Sequence, residues 1–393
     1  MIKTLDDLLQ HNLTGKTVLL RVDYNVAHAD NHIMDPTRID NSFPTLRLLL
    51  NHKARVILIS HLGRPQKTGK EGLSLKFILP YLQSSFPNEK CIFCPSINSL
   101  QEALEEDNTI LLLENIRFDV REEDNALSLA KELAPCGEYY INDAFSVSHR
   151  THSSVCQLPK LLPSYMGKDF ESEIQALQYL VTHPKKPMHV IMGGAKISTK
   201  LPIIKNLLSQ IDTFIFMGGI GNTFLKALGY EIGISLYEED LLKDCQHIIE
   251  HASKQGKNIL LPQDVVVIDS QNQVKFKNIQ NILPQEKIVD AGPLTLESMH
   301  KTLKTTQTIL WNGALGIFEE PYAAQGTIET AKLLAHLTKK YDIITIAGGG
   351  ETLQAINQAG CLQEFSHVSG AGGAFLEYLA GKNLPGISAL EQT

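Results

Sequence analysis

Three features that mark large classes of protein are missing from this sequence of 393 residues. No run of apolar residues is long enough to span a bilayer. The segment MIKTLDDLLQHN carries acidic residues early and lacks the apolar core and small-residue cleavage site of a secretory signal. The six cysteines form no regular framework, which is typical of proteins of the reducing cytosol. We therefore expect a cytoplasmic protein.

Two phosphate-binding motifs are also absent. The sequence contains no G-x-x-x-x-G-K-[ST] segment, and no G-x-G-x-x-G segment follows a predicted strand with a suitable acidic residue later. The net charge of −7 and the pI near 6.1 disfavour nucleic acid as the main partner. These absences argue against a P-loop enzyme, a two-domain dehydrogenase and a nucleic-acid-binding protein.

Arginine is absent from the last 243 residues, whereas glycine is concentrated there. All eight arginines lie within the first 150 residues, and twenty-two of the 27 glycines follow them. Arginine offers a planar, permanently charged fork that suits carboxylate and phosphate. Glycine lets backbone N–H groups approach a phosphate closely. The sequence therefore predicts two halves that bind anions differently, with a small charged substrate in the first and a nucleotide in the second.

The hydrophobic pattern predicts an α/β protein with two doubly wound, parallel-sheet (Rossmann-like) domains. Short apolar runs such as TVLLRV, ARVILIS, TILLLEN, MHVIMGG, ILLPQDVVV and IITIAGGG alternate with amphipathic stretches at helical spacing. A chain of this length is too long for a single hydrophobic core, so two domains are expected. Phe170, Ile174, Leu177 and Val181 recur at helical spacing before HPKKP, which predicts a helix connecting the domains.

Polar residues follow the predicted strands of the first half, where ligands of open parallel sheets bind. These residues are Arg21, Asp23 and Asn25 after TVLLRV, His61 and Arg64 after ARVILIS, Arg117 after TILLLEN, His149 and Arg150 after EYYIND, and Arg38 in the loop DPTRID. In the second half, glycines follow four apolar strands, and each can open a helix whose N-terminus presents N–H groups to phosphate. Lys196 and Lys200 accompany the first of these turns.

Two metal-binding alternatives follow from spacing. Cys91 and Cys94 form a C-x-x-C segment, but no second pair follows at zinc-finger spacing. His149, His152 and Cys156 have a spacing at which they could also ligate a metal, although a polar loop near an anion site explains them better.

Many segments in order resemble the phosphoglycerate kinase family, essentially from end to end. They include RVDYNV at 21–26, SHLGRP at 60–65, ENIRF at 114–118, NDAFSVSHRTHSS at 142–154, GGAKISTK at 193–200, WNGALGIFE at 311–319, GGGET at 348–352 and GKNLPG at 381–386. The resemblance implies a two-domain hinge enzyme of glycolysis, a monomer that reversibly transfers a phosphoryl group from 1,3-bisphosphoglycerate to ADP. It places a phosphoglycerate-binding domain at 1–168, a connector helix at 169–184, a nucleotide-binding domain at 185–379 and a tail at 380–393 that packs on the first domain.

The resemblance also implies roles for single residues. Phosphoglycerate would contact Asp23, Asn25, Arg38, His61, Arg64, Arg117, His149 and Arg150. The nucleotide would contact Lys196, Lys200, Gly313, Glu319, Gly348, Gly349, Gly350 and Glu351, with Mg²⁺ at Glu351. Arg38 and Lys200 are the catalytic candidates, since the transfer needs alignment and charge neutralisation more than a base.

The sequence departs from the family pattern on the nucleotide side. Glu351 stands where the family usually has aspartate, and Ala314 stands at a usual proline position. The extra methylene of Glu351 could move Mg²⁺ or admit a water. These departures are the support for an alternative, a binding protein that keeps the fold but has weakened turnover.

Overall fold

A computed structural model describes residues 2–106 and 109–391. The chain divides into two compact units. The first comprises the residues up to 175 together with the segment from 383 onward, and the second comprises residues 176–382. The helix Lys168–Thr182 contains the boundary and ends just before the Pro184 segment that was expected to stop it. No helix within the described residues is long and apolar enough to cross a membrane.

The first unit is built on a six-stranded parallel sheet with the order β5-β6-β4-β1-β7-β8. Strand β1 is buried at every position, because helices cover both faces of such a sheet. Its strands, with a small hairpin formed by β2 and β3, are β1 Thr17–Arg21, β2 His28–Ala29, β3 His32–Ile33, β4 Arg55–Ile59, β5 Cys91–Cys94, β6 Ile110–Leu113, β7 Tyr139–Asn142 and β8 Ser164–Met166.

Short helices and single turns surround this sheet. They are α1 Leu5–Leu8, α2 Thr37–Asp40, α3 Phe43–Asn51, α4 Pro65–Thr68, α5 Leu79–Ser85, α6 Ile97–Leu104, α7 Val120–Glu123, α8 Leu127–Leu133 and α9 Lys168–Thr182. A last helix of the chain, Pro385–Glu391, also belongs to this unit. There the backbone N–H of Gly386 donates to the carbonyl oxygen of Ser148 at 2.9 Å.

The second unit repeats the parallel plan with the order β11-β10-β9-β15-β16-β17. Its strands, numbered after those of the first unit, are β9 Met188–Met192, β10 Thr213–Phe216, β11 Asn258–Leu260, β12 Asp264–Ile268, β13 Val274–Asn278, β14 Lys287–Ala291, β15 Thr308–Asn312, β16 Ile344–Gly348 and β17 His367–Ser369. Its helices are α10 Leu201–Leu207, α11 Gly218–Ala227, α12 Leu242–Lys254, α13 Pro293–Leu303, α14 Gln325–Tyr341, α15 Gly350–Gln358 and α16 Gly373–Leu379, which leaves α17 for Pro385–Glu391.

A three-stranded antiparallel sheet was not anticipated. Strands β13, β12 and β14 form it, and they lie outside the parallel sheet. The run ILLPQDVVV, expected as one strand, is divided into β11 and β12 at Pro262, whose ring removes a backbone donor from the ladder. The expectation of one strand was therefore wrong, whereas the α/β class with two parallel sheets is confirmed.

Candidate functional site

In the first unit, Asp23 organises the loops at the carboxyl ends of the strands. Its Oδ2 accepts hydrogen bonds from Arg38 Nη1 at 2.7 Å and from Ser146 Oγ at 2.6 Å. Its Oδ1 accepts from the backbone N–H of Asn25 at 3.1 Å. The carboxylate therefore orients a half-exposed guanidinium, that of Arg38, while being held itself by two loops.

Asn25 and Arg117 are joined through the backbone of Gly63. Asn25 Oδ1 accepts from the Gly63 N–H at 2.9 Å, and Arg117 Nη1 donates to the Gly63 carbonyl oxygen at 2.7 Å. Arg117 is 3% exposed, and its Nη2 has no hydrogen-bond acceptor among the described residues. Because a buried guanidinium nitrogen without a partner is costly, it indicates a site for an anionic ligand.

Positive charges lie close together among these residues and shift the pKa values of their neighbours. Burial, reinforced by the positive charges of Arg21 and Arg150, lowers the pKa of Arg117 to about 10. Burial and the same kind of repulsion lower the pKa of His61 well below its ordinary value and that of His152 to about 3. Arg21, Arg117 and Arg150 thus lie close enough together to repel one another, and an anion would relieve their repulsion.

The other predicted residues of this unit are placed less uniformly. His149 and Arg150 lie in the turn after β7, close enough to influence the pKa of His152. Arg64 is exposed and stands at the N-terminus of α4. The structure gives its guanidinium no hydrogen bond or ion pair within the ranges it describes. Seven of the eight predicted residues are thus linked by hydrogen bonds or, in part through His152, by electrostatic effects on pKa values. Arg64 is the exception and lies exposed at the edge of the group.

Arg21 differs from the expectation that it reaches the ligand from a strand end. Its side chain is 0% exposed and lies beneath the cluster. Its Nε donates to Ser154 Oγ at 3.0 Å, and Ser154 Oγ donates to Glu122 Oε1 at 2.6 Å. Every residue of β1 is buried, so the strand has no alternation of apolar and polar residues. The sequence therefore could not show whether the side chain of Arg21 points into the protein or toward a ligand. Glu122 and Ser154 carried no sequence signal and were missed.

In the second unit, the glycine turns after β9, β15 and β16 meet. The backbone N–H of Gly193 donates to the Asn312 carbonyl oxygen at 3.0 Å, and that of Gly194 donates to the Ala314 carbonyl oxygen at 2.7 Å. Gly313 has φ +95°, and a Cβ there would overlap the carbonyl oxygen of Gly193. Only glycine therefore permits this approach of the two turns.

Lys200 is the cation at the centre of these turns. Its Nζ donates to Asn312 Oδ1, and Asn312 Nδ2 donates to the carbonyl oxygen of Gly348. Burial lowers the pKa of Lys200 to about 8, and the nearby carboxylate of Glu351 opposes that shift. Sequence reasoning missed Asn312, and also Thr352, whose Oγ1 accepts from the Gly313 N–H at 2.7 Å.

Two cavities adjoin these turns and share Glu351. One, of about 500 Å³, is lined by Lys196, Lys200, Gly313, Gly349, Gly350 and Glu351 among others. The second, of about 220 Å³, is lined by apolar side chains that include Leu236, Ile317 and Phe318, together with Glu319. A pocket with cations and glycine N–H groups suits phosphates, and an adjoining apolar pocket with a carboxylate suits a nucleoside. Gly348 is not among the lining residues of these two cavities, and it packs against the ring of Phe375.

The two metal-binding alternatives find no support. Among the described residues no group of three or more histidine, cysteine, aspartate or glutamate side chains is arranged to hold a metal. Cys91 and Cys94 are the first and fourth residues of β5, so their side chains point to opposite faces of the sheet. Both are buried free thiols, and burial raises their pKa values to about 11.

Comparison with known proteins adds independent findings. The model of the phosphoglycerate kinase family matches residues 5–382. The chain is 40% identical over 394 residues to a phosphoglycerate kinase of Novosphingobium aromaticivorans and 41% identical over 397 residues to that of Cereibacter sphaeroides, with 99% of each chain covered. It superposes on the phosphoglycerate kinase structure from Coxiella burnetii with a TM-score of 0.86 and 35% identity, covering 98% of both chains. The structure from Pyrococcus horikoshii gives a TM-score of 0.84 at 27% identity, covering 100% of this chain and 98% of that one. The chain therefore belongs to the phosphoglycerate kinase family.

Proposed function

We propose that this protein is an active phosphotransferase that interconverts 1,3-bisphosphoglycerate and ADP with 3-phosphoglycerate and ATP in glycolysis. The observation that carries the proposal is the pairing of an arginine cluster in one unit, formed by Arg38, Arg117 and Arg150, with glycine turns around Lys200 in the other. The family membership supports the same reaction. The proposal includes a cytoplasmic monomer that bends at the helix Lys168–Thr182.

The phosphoglycerate is assigned to the first unit. Arg117, Arg150, His61 and Arg64 are proposed to bind its non-reacting phosphate, since they supply permanent charge and N–H donors. Asn25 and His149 complete the walls of the site. Arg38, fixed by Asp23, is assigned to the oxygens of the reacting carboxyl and phosphoryl groups because it is the half-exposed member of the pair.

The nucleotide is assigned to the second unit. Lys200, with Lys196 beside it and the turns at Gly313 and at Gly349 and Gly350, is proposed to bind the phosphates. Glu319 is proposed to bind the ribose from the adjoining apolar cavity. In this arrangement the N–H groups at the start of α15 face the site, where the helix dipole favours negative charge.

The chemistry needs no strong base. A terminal phosphate oxygen of ADP attacks the phosphorus of the acyl phosphate, the bond between phosphorus and the carboxyl oxygen breaks, and the carboxylate leaves with the electron pair. Both the attacking and the leaving oxygen are weakly basic anions, so no proton must be moved. The protein's contribution is to align the groups and to neutralise charge, and Arg38 and Lys200 are the proposed agents.

Mg²⁺ is proposed to accompany the nucleotide. Glu351 is the carboxylate common to both cavities, and Mg²⁺ in such sites is held by one or two carboxylates together with substrate phosphates and water. One acidic residue therefore fits a metal that arrives with the nucleotide. When bound, the ion would neutralise part of the phosphate charge.

A coupled assay tests the proposed function. Purified protein is mixed with 3-phosphoglycerate and Mg-ATP, and glyceraldehyde-3-phosphate dehydrogenase then oxidises NADH as the product forms. We expect NADH loss that requires both substrates and is abolished in Lys200→Met. Calorimetric binding of both ligands without turnover would contradict the proposal and would favour a binding protein that retains the fold.

A further inference from the structure

A continuous chain of buried polar side chains lies beneath the arginine cluster of the first unit. Glu122, Ser154 and Arg21 are each 0% exposed, and His61 at the end of the chain is 3% exposed. The chain draws on four separate elements, α7, the turn at 153–157, β1 and the residues after β4. Burying such a set is costly, so its geometry is expected to serve a purpose.

The buried charge of Arg21 is compensated within this chain. Its Nε donates to Ser154 Oγ, and Glu122 accepts from Ser154 Oγ at 2.6 Å and from the Ser154 backbone N–H at 2.8 Å. Burial raises the pKa of Glu122, and the charge of Arg21 and the two bonds from Ser154 offset only part of that rise. Glu122 therefore serves as the counter-charge that permits a guanidinium at this depth.

The guanidinium of Arg21 is also fixed in orientation. Nη1 donates to the carbonyl oxygen of Val22 and, at 3.5 Å, to that of Ile59, the last residue of β4. These bonds, with that to Ser154, hold the planar fork from three directions. Nη2 then points at His61, and it lies 3.3 Å from His61 Nδ1.

This contact determines where the proton of His61 lies. An arginine guanidinium only donates hydrogen bonds, so Nδ1 of His61 must accept and must therefore be unprotonated. The imidazole is then neutral and carries its proton on Nε2. The charges of Arg21, Arg117, Arg38 and the neighbouring His152 add to burial in lowering the pKa of His61, which agrees with the neutral ring. Nε2 has no hydrogen-bond partner within residues 2–106 and 109–391.

We propose that Arg21 is a positioning residue that fixes His61 as the Nε2–H tautomer, so that His61 donates a hydrogen bond to the anionic substrate. This inference rests on the proposed function for the identity of that substrate. A neutral histidine with the opposite tautomer would present a lone pair to an anion and would repel it. Arg21 thus acts through His61 and does not contact the substrate.

The first test measures the tautomer directly, without substrate or turnover. Long-range ¹H–¹⁵N spectra of histidine-labelled protein distinguish protonated from unprotonated ring nitrogens, and the His61→Gln variant identifies the His61 signals among the 14 histidines. We expect His61 to show an unprotonated Nδ1 and a protonated Nε2. A proton on Nδ1, or on both nitrogens at neutral pH, would overturn the proposal whether or not the protein is a kinase.

The second test is a double-mutant cycle on 3-phosphoglycerate affinity by calorimetry. Arg21→Met should weaken binding about tenfold. Without Arg21, His61 is no longer held in the tautomer that donates a hydrogen bond to the charged substrate. In the His61→Gln background the side-chain amide can rotate to donate to the substrate without Arg21. The loss of 3-phosphoglycerate affinity caused by Arg21→Met should therefore be much smaller there. Equal losses in both backgrounds would mean that Arg21 acts only through its charge and would overturn the proposal.

Two further variants separate charge and folding from positioning. Arg21→Lys keeps the charge without the planar fork, and we expect it to resemble Arg21→Met. Arg47→Met removes an exposed arginine that lies 6.0 Å from the centre of the Phe43 ring on α3, and it should leave affinity unchanged. Should Arg21→Met fail to fold, the spectrum of the unmodified protein still decides the question. If the spectra show the expected tautomer but the kinase assay shows no turnover, the result contradicts the proposed function and leaves the role of Arg21 standing.

Discussion

At the scale of single residues, three arginines of the first unit lie at different depths. Arg117 is buried and has an unused donor, Arg38 is half-exposed and held by Asp23, and Arg64 stands exposed at the rim. We expect the half-exposed Arg38 to stabilise the charge that develops on the transferring group. Arg117 and Arg64 are expected to bind the phosphate that does not react. The arginines are therefore not interchangeable.

Arg38 and Arg64 should differ in kinetics. Arg38→Ala should lower kcat by about two orders of magnitude or more, because it removes a preorganised donor worth ~3–4 kcal/mol in the transition state. Arg64→Ala should mainly raise the KM for 3-phosphoglycerate, because its donor is used equally before and during transfer. Steady-state kinetics of both variants measure the difference, and the reverse pattern would exchange their roles.

Lys200 makes nucleotide affinity depend on pH. The pKa of Lys200 is about 8, lowered by burial from its ordinary value, so the free protein loses this charge as the pH rises through 8. Above that pH, phosphate binding must take up a proton, and the affinity for Mg-ADP should fall by up to about tenfold per pH unit. Calorimetry in two buffers of different ionisation enthalpy should show the proton uptake. The same dependence in Lys200→Met would assign it to another group.

Glu351 should affect nucleotide binding only when the metal is present. Glu351→Gln removes the carboxylate charge at nearly constant volume, so Mg-ADP affinity should fall about tenfold while metal-free ADP binds at least as well as before. Calorimetry with and without Mg²⁺ measures both values. Glu351→Asp, which keeps the carboxylate on a side chain one methylene shorter, should retain the metal dependence. An equal loss of ADP affinity with and without Mg²⁺ would show that Glu351 does not bind the metal.

At the scale of elements, sequence patterns predicted the strands better than their side-chain directions. The apolar runs and the polar residues after them were sufficient to expect two parallel sheets with anion sites at the strand ends, and the sheets are confirmed. The burial of Arg21 was not predictable, because β1 has no alternation of apolar and polar residues. The bonds of Asn312 to Lys200 and Gly348 join residues 112 and 36 positions apart, and no local pattern contains them.

The close approach of two turns gives a stability prediction. Gly313→Ala places a Cβ against the carbonyl oxygen of Gly193 at φ +95°, so the second unit should lose at least about 2 kcal/mol of unfolding free energy. Gly350→Ala is the matched control, since a Cβ there has nothing within 4 Å. Urea unfolding followed by Trp311, the single tryptophan of the sequence, reports on this unit. Equal midpoints for the two variants would contradict the argument.

At the scale of the whole molecule, the chain returns to its first unit at the end. In α17, Ala389 and Leu390 are buried, and Gly386 bonds to Ser148, next to the turn that carries His149 and Arg150. A Cβ on Gly386 would lie 2.9 Å from the Ser148 Cα. The helix Pro385–Glu391 therefore packs against the turn that carries His149 and Arg150.

Removal of this segment should separate the two binding activities. Deletion of residues 383–393 should weaken 3-phosphoglycerate binding at least tenfold, because the turn with His149 and Arg150 loses its packing. Mg-ADP binding and the unfolding midpoint reported by Trp311 should stay unchanged, since both belong to the second unit. Calorimetry with each ligand is the measurement, and an equal loss of both affinities would contradict the division.

The most direct test of the account is the detection of the acyl phosphate itself. Hydroxylamine converts an acyl phosphate to a hydroxamate and inorganic phosphate, so a reaction of the protein with Mg-ATP and 3-phosphoglycerate in its presence reveals transfer to the carboxyl group. We expect hydroxamate to accumulate only with both substrates and in step with ADP, and to fall about a hundredfold in Arg38→Ala. ADP formation without hydroxamate, or no reaction from a protein that binds both ligands, would contradict phosphoryl transfer to the carboxylate.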